Sequence, residues 1–181
     1  PENQIMGSGT ILDTARLRYG LSEHFKVAQG NIHAYVFGEH GDTSFIPWTG
    51  AYISGLSTDE YYEEMKAHGK DVKPLDKEAM LEYVQKSGGK VIAKKGATFY
   101  AVSATVCQLV GLILAASDSV ATVSSMLHGE YGIEDVCLST LTLVGPNGTQ
   151  GKVQMRMNKE EIALLKKSAD ALKEVIAQIE L

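Results

Sequence analysis

The sequence predicts an α+β domain, with helices packed on antiparallel or mixed sheet, and three observations carry that prediction. Ile162, Leu165, Ala169, Leu172, Ile176 and Ile179 form an apolar stripe at helical spacing, opposite a face of lysine and glutamate. Residues 119–127 and 135–144 are β-rich runs followed by the turn Pro146-Asn147-Gly148. Phe99 to Ala116 carries no charge and reads as a helix buried on nearly all sides.

In chain order, Pro1 to Met6 is a short lead-in, and Thr10 to Phe25 is a helix capped by Thr10 or Ser8. Asn31 to Phe37 is a strand whose apolar end, Ala34-Tyr35-Val36-Phe37, is buried. Thr43 to Ile53 is extended, with Pro47 marking an edge or bulge. Ser57-Thr58-Asp59-Glu60 starts a short helix with its carboxylates at the positive end of the dipole, and Tyr61 and Tyr62 are packing residues. Gly69 to Pro74 is a polar linker. Asp76 caps a long helix to about Lys95, with Met80, Val84 and Val91 on one face. Lys90, Lys94 and Lys95 suit its negative end. Gly88-Gly89 inside it cost about 1 kcal/mol each relative to alanine and imply close backbone packing or a kink. The uncharged run reaches the length of a membrane span, but Ser103, Thr105 and Gln108 interrupt it, and no aromatic or basic belt flanks both ends. Val153 to Met157 returns as a further strand, and Asn158 with Glu161 forms a cap pair for the last helix.

At 181 residues the chain is long enough for one domain with a substantial core. A net charge of −5 without a basic stripe argues against a nucleic-acid surface. Cys107 and Cys137 are too few for a disulfide framework and point to a reducing cytoplasm. No signal peptide is visible, and the abrupt opening at Pro1 reads as part of a longer chain.

Chemistry concentrates in two stretches. Gly38-Glu39-His40-Gly41-Asp42-Thr43 places a histidine between two glycines at the end of a predicted strand, where an imidazole can exchange a proton near neutral pH. In Leu12-Asp13-Thr14-Ala15-Arg16-Leu17-Arg18, Asp13 and Arg16 lie three apart, about 60° apart around a helix axis, and Arg18 points elsewhere. An aspartate can hold an imidazole in one tautomer, and an arginine can grip a carboxylate with two parallel hydrogen bonds. Together they suggest a site for a small carboxylate-bearing substrate beside a proton donor. A metal site has little support, because His33 and His40 lack a ligand spacing. Gly7-Ser8-Gly9 is not a dinucleotide loop: the third glycine would fall at Leu12.

These stretches, with Gly7-Ser8-Gly9-Thr10 and Lys95-Gly96-Ala97-Thr98, resemble the C-terminal half of the L-lactate dehydrogenases along essentially the whole chain. Related malate dehydrogenases share His40, Asp13 and Arg16 but more often have glycine in place of Glu39, so the motif leans toward lactate. The resemblance implies a C-terminal substrate and catalytic domain over residues 1–181, with the NAD-binding Rossmann domain outside this chain. It also implies reduction of pyruvate to L-lactate by NADH, in the cytoplasm and by a homotetramer. His40 would be the proton donor, Asp13 its partner, Arg16 the carboxylate clamp and Thr98 a residue of the substrate pocket. Ser8 would reach the nicotinamide amide, and Val102 would pack on the ring. Arg18 and His33 match positions that bind fructose 1,6-bisphosphate in many bacterial members. Two other readings stand beside this one: a malate or other 2-hydroxy acid dehydrogenase domain, since much of substrate choice lies in a loop outside this half, and a non-catalytic phosphate-binding or self-assembling domain.

Overall fold

Residues 1–179 are described by the structure, a computed structural model. Helix α1 (Ile11–Phe25) contributes to two of its three apolar clusters. Leu17, Leu21 and Phe25 face one cluster, and Ile11 faces another. The stretch that follows α1 is extended but pairs as a strand only briefly. β1 (Ile32–His33) pairs antiparallel with β2 (Tyr52–Ile53), which turns through Ser54-Gly55 into β3 (Leu56–Ser57). The predicted strand from Asn31 to Phe37 is therefore shorter than expected, for a physical reason. Its buried backbone groups find partners on α1 instead of on a neighbouring strand. The Arg18 Nε–H donates to the Ala34 carbonyl at 3.1 Å, and the Thr10 hydroxyl to that of Val36 at 2.5 Å. The Val36 N–H donates to the Thr14 hydroxyl at 3.0 Å. Farther along, Phe37 exchanges backbone hydrogen bonds with Phe45, and Gly38 with Ser139. The extended run predicted for Thr43 to Ile53 breaks after Pro47, at a 3₁₀ turn over Trp48–Gly50.

At the helices that begin at Thr58, Lys77 and Lys159 local chemistry sets the start as the sequence anticipates, whereas the Thr10 hydroxyl, expected to cap α1, makes no capping bond and donates to the Val36 carbonyl instead. α2 (Thr58–Ala67) starts in a reciprocal capping box between Ser57 and Glu60. Asp76 caps α3 (Lys77–Lys95) by accepting the Ala79 N–H, and Gly96 closes it at φ +76°. Val84 on α3 is buried and Met80 packs beside it, but Val91 is exposed, so the apolar stripe ends before the helix does. Gly88 and Gly89 neither kink α3 nor admit a neighbouring backbone. The helix is continuous, a Cβ on Gly89 would meet nothing within 4 Å, and one on Gly88 would meet only the Arg16 guanidinium at 3.7 Å. The close approach between α1 and α3 is at Gly20, where a Cβ would lie 2.7 Å from the Met80 sulfur.

The uncharged helix α4 (Tyr100–Leu114) departs most from expectation. Only Thr105 and Leu109 are buried, whereas Tyr100 is 77% and Leu114 79% exposed. One face packs toward α1 and the sheet strand β7 (Thr142–Gly145), and none of the other described residues covers the opposite face. Apolar composition showed that the helix wants cover but not that the cover lies within these residues. Among the described residues no helix is long and apolar enough to cross a membrane.

β4 (Ser119–Ala121), β7 and β8 (Gly148–Lys152) form one sheet, and β5 (Ser124–His128) with β6 (Glu134–Ser139) another. The return strand begins at Gly148, not at Val153. Gly145 pairs directly with Gly148 across a two-residue Pro146-Asn147 turn, and Gly148 takes φ +85°. α5 (Lys159–Ile176) starts in a capping box between Asn158 and Glu161. Its Leu165 and Ala169 are buried with Phe37, Phe45, Leu127 and Leu138. Ile176 and Ile179 are exposed, so the stripe overhangs the core; residues 180–181 lie outside those described. Every strand pair among the described residues is antiparallel, and the fold is α+β.

Candidate active site

The loop Gly38–Thr43 is braced from α5. Gly38 adopts φ +95°, and a Cβ there would lie 2.7 Å from the Ser168 hydroxyl oxygen, so glycine is required. That hydroxyl accepts the Glu39 N–H at 2.8 Å. The Glu39 carboxylate accepts from the Thr43 N–H at 3.2 Å and the Thr43 hydroxyl at 2.6 Å, closing the loop on itself. Gly41 has ordinary backbone angles; its lack of a side chain makes room for the Glu39 carboxylate, 3.1 Å from where its Cβ would stand.

This bracing sets His40 beside the first turns of α1. Asp13, buried at 4% exposure, divides its two oxygens between His40, the partner predicted for it, and its helix neighbour Arg16. Oδ2 lies 2.6 Å from His40 Nδ1, and Oδ1 accepts from an Arg16 guanidinium nitrogen at 3.0 Å. The pair Asp13–Arg16 is thus not an exposed surface ion pair, since the Arg16 side chain is itself only 17% exposed. With Nδ1 engaged by the carboxylate, Nε2 is the ring nitrogen left to exchange a proton. The hydrogen bond to Asp13 raises the His40 pKa above its ordinary 6.5. Partial burial opposes it, the Asp13 charge adds to it, Arg16 opposes it and Glu39 adds a little. Imidazolium is therefore favoured in the fold. The stabilisation from this pairing is complete below pH 6.5 and fades as pH rises through the raised value.

Asp13, Arg16 and His40 line a cavity of about 370 Å³, and so do the predicted Thr98 and Val102. Ser8 does not line it. Its segment is held against β5 by the paired Gly7 and Ser124 backbones, and its carbonyl accepts the Ile11 N–H at the start of α1. Arg18 faces a separate cavity of about 630 Å³, its guanidinium stacked 5.0 Å from the centre of the Tyr35 ring. His33 is exposed on β1 and lines neither cavity, so the two predicted effector residues are not brought to a common pocket.

The cavity also contains residues that the sequence did not assign to the site. Gln85, Gly88, Gly89 and Ile92 form one wall from α3, at spacings of three, four and seven residues. That spacing was the available signal, obscured because the stripe is polar and glycine-rich. The Gln85 amide donates to the carbonyls of Ser44 at 3.0 Å and Asp42 at 3.2 Å, and so pins α3 to the histidine loop.

Fold and site together define a class: an α+β domain presenting an aspartate-paired histidine and an arginine in one cavity. More particularly, the chain belongs to the lactate/malate dehydrogenase family, whose alpha/beta C-terminal domain matches residues 10–180. It is 44% identical, over its whole length, to an L-lactate dehydrogenase of Acetivibrio thermocellus and covers 56% of that protein. It is 42% identical to L-lactate dehydrogenase 1 of Clostridium acetobutylicum, with 99% of this chain and 56% of the relative covered. Among solved structures, an L-lactate dehydrogenase from Clostridium thermocellum superposes with a TM-score of 0.88 at 34% identity, covering all of this chain and 58% of that one. The minor L-lactate dehydrogenase of Enterococcus mundtii, solved in a ligand-bound form, gives 0.91 at 30% identity, covering all of this chain and 56% of that one. The chain spans little more than half the length of these relatives.

Proposed function

We propose that this chain is the substrate-binding and catalytic domain of an NAD-dependent L-lactate dehydrogenase, converting pyruvate and NADH to L-lactate and NAD. The observation that carries the reading is the bridge through Asp13, which holds a proton donor and a cationic clamp on one cavity. Arg16 takes the substrate carboxylate, and its planar fork fixes orientation as well as affinity. His40 gives its Nε2 proton to the carbonyl oxygen as that oxygen gains charge, and takes it back in lactate oxidation. Asp13 keeps the ring oriented and stabilises the imidazolium before transfer. NADH supplies the hydride to the carbonyl carbon. Val102, 41% exposed on the cavity wall, and Thr98 beside it suit a flat ring at that wall, and Ser8 is not placed to assist. On this reading nucleotide binding falls to a separate domain, since the described strands pair antiparallel and form no doubly wound parallel sheet, and this chain alone turns over little or no substrate.

The same reading makes the enzyme a cytoplasmic homotetramer of fermentative glycolysis, with the bare face of α4 available for assembly. It also gives Arg18 and His33 a role in binding fructose 1,6-bisphosphate between subunits, where cations from two chains meet one ligand. One assay tests the proposal. The full-length enzyme is expected to oxidise NADH with pyruvate but not with acetone, which lacks the carboxylate that Arg16 needs. Fructose 1,6-bisphosphate is expected to lower the pyruvate KM, and Arg18→Gln with His33→Asp to abolish that response. Equal turnover of acetone, or none of pyruvate, refutes the dehydrogenase reading; an unchanged response in the double variant refutes only the effector site.

A further inference from the structure

Lys152, at the end of β8, is half-buried and reaches from its own sheet to the other. Its Nζ donates to the Ser125 hydroxyl at 2.5 Å, the Thr142 hydroxyl at 3.2 Å and the Ser125 carbonyl at 3.3 Å. Ser125 and Thr142 are themselves buried, and all three acceptors are neutral. Among the described residues no carboxylate forms an ion pair with this ammonium. A desolvated cation without a counter-charge gives up its proton more readily, and the free amine is a nucleophile. Burial accordingly lowers the Lys152 pKa below its ordinary 10.5, and the charges of Glu130 and Cys137 offset this only in part. The amine opens on a cavity of about 160 Å³ that shares no residue with the one at Arg16. We propose that Lys152 is a covalent modification site, at which the amine condenses with a small neutral aldehyde to form an imine. The proposal is independent of the dehydrogenase reading.

The chemistry balances with the groups at hand. The free amine adds to the carbonyl carbon, forming the C–N bond of a carbinolamine. The C–O bond then breaks, the oxygen leaves as water, and C=N forms without any oxidant or reductant. The leaving hydroxyl needs a proton, and His128 on the same wall is a source. Its Nε2 pairs with the Glu2 carboxylate at 2.5 Å, which raises its pKa above the ordinary 6.5 and favours the proton-bearing form. The protonated imine is a cation like the ammonium it replaces, so the Glu130 charge that favours one favours the other. It keeps one N–H for the Ser125 hydroxyl, and the Thr142 hydroxyl already donates to the Thr140 carbonyl. Size and charge select the partner. The cavity has the volume of about five waters at about 30 Å³ each, which suits an aldehyde of few heavy atoms. Glu2 and Glu130 on its wall disfavour anionic electrophiles such as acyl phosphates.

The test treats the full-length protein near neutral pH with limiting propanal and cyanoborohydride, which reduces each iminium as it forms. Peptide mass spectrometry then gives the rate of alkylation at every lysine. Lys152 is expected to react ahead of all the others. Pyridoxal 5′-phosphate, a larger and anionic aldehyde, is expected to label exposed lysines but not Lys152. Ser125→Asp supplies the missing carboxylate beside the ammonium, so alkylation by propanal at Lys152 should fall about tenfold or more, the scale of an opposite charge on a neighbouring titrating group. A melting curve checks that this variant is folded; if it is not, the parent's own order of reaction decides. Alkylation of Lys152 by propanal no faster than that of exposed lysines overturns the proposal, and so does a folded Ser125→Asp variant that reacts as fast as the parent. Equal labelling of Lys152 by pyridoxal 5′-phosphate overturns the choice of a small neutral partner.

Discussion

His40→Asn in the full-length enzyme is expected to lower kcat/KM for pyruvate reduction by about 10²–10⁴-fold, the usual contribution of a positioned acid. The reasoning follows the proton. His40 pairs with Asp13 through Nδ1 at 2.6 Å, so the opposite nitrogen carries the proton that the carbonyl oxygen must receive. An asparagine amide can still satisfy the Asp13 carboxylate, which preserves the loop, but it cannot be ionised and has no proton to deliver near neutral pH. The loss should appear in kcat as well as kcat/KM, because the interaction develops as the oxygen gains charge. Following NADH absorbance at saturating pyruvate measures it; a loss below tenfold would place the proton donor elsewhere.

Arg16→Leu is the second large effect. Removing one member of a desolvated, hydrogen-bonded charge pair typically costs about 2–5 kcal/mol, or between one and a half and three and a half orders of magnitude in kcat/KM. Arg16 is only 17% exposed and is held from behind by Asp13, so its fork reaches the cavity already oriented. Lysine would keep the charge without the two parallel donors, so Arg16→Lys should recover only part of the loss. The leucine variant has a second signature. Arg16 now holds the His40 pKa down, so its removal should move the acidic limb of lactate oxidation to higher pH while KM for pyruvate rises. Steady-state kinetics across pH separates the two effects; an unchanged KM contradicts the clamp.

Much of this site is legible before any coordinates because its signals are local. The spacing of Asp13 and Arg16 puts them on one helix face, and Gly38 and Glu39 flag the loop that holds His40. The helix caps at Ser57, Asp76 and Asn158 are legible for the same reason, each being decided within four residues. What escaped depends on partners distant in sequence. Residues 34–36 satisfy their backbone from α1 side chains, which no strand propensity encodes. The bare face of α4 has the same composition as a buried one, and only topology tells them apart. The wall formed by Gln85, Gly88, Gly89 and Ile92 was hidden because its periodicity is written in glycine and glutamine instead of leucine.

The convergence of Asp13, Arg16 and His40 can be measured directly on this chain, without a nucleotide-binding domain or turnover. Two-dimensional NMR of the ¹⁵N-labelled imidazoles, followed through a pH titration, reports both the tautomer and the pKa of each histidine. His40 is expected to titrate above 6.5 with its proton on Nδ1 in the neutral form, and Asp13→Asn should bring its pKa down, since the largest raising influence is then gone. A His40 that titrates at or below 6.5 and does not respond to Asp13→Asn would mean that ring and carboxylate are not paired, and the catalytic assignment would lose its basis.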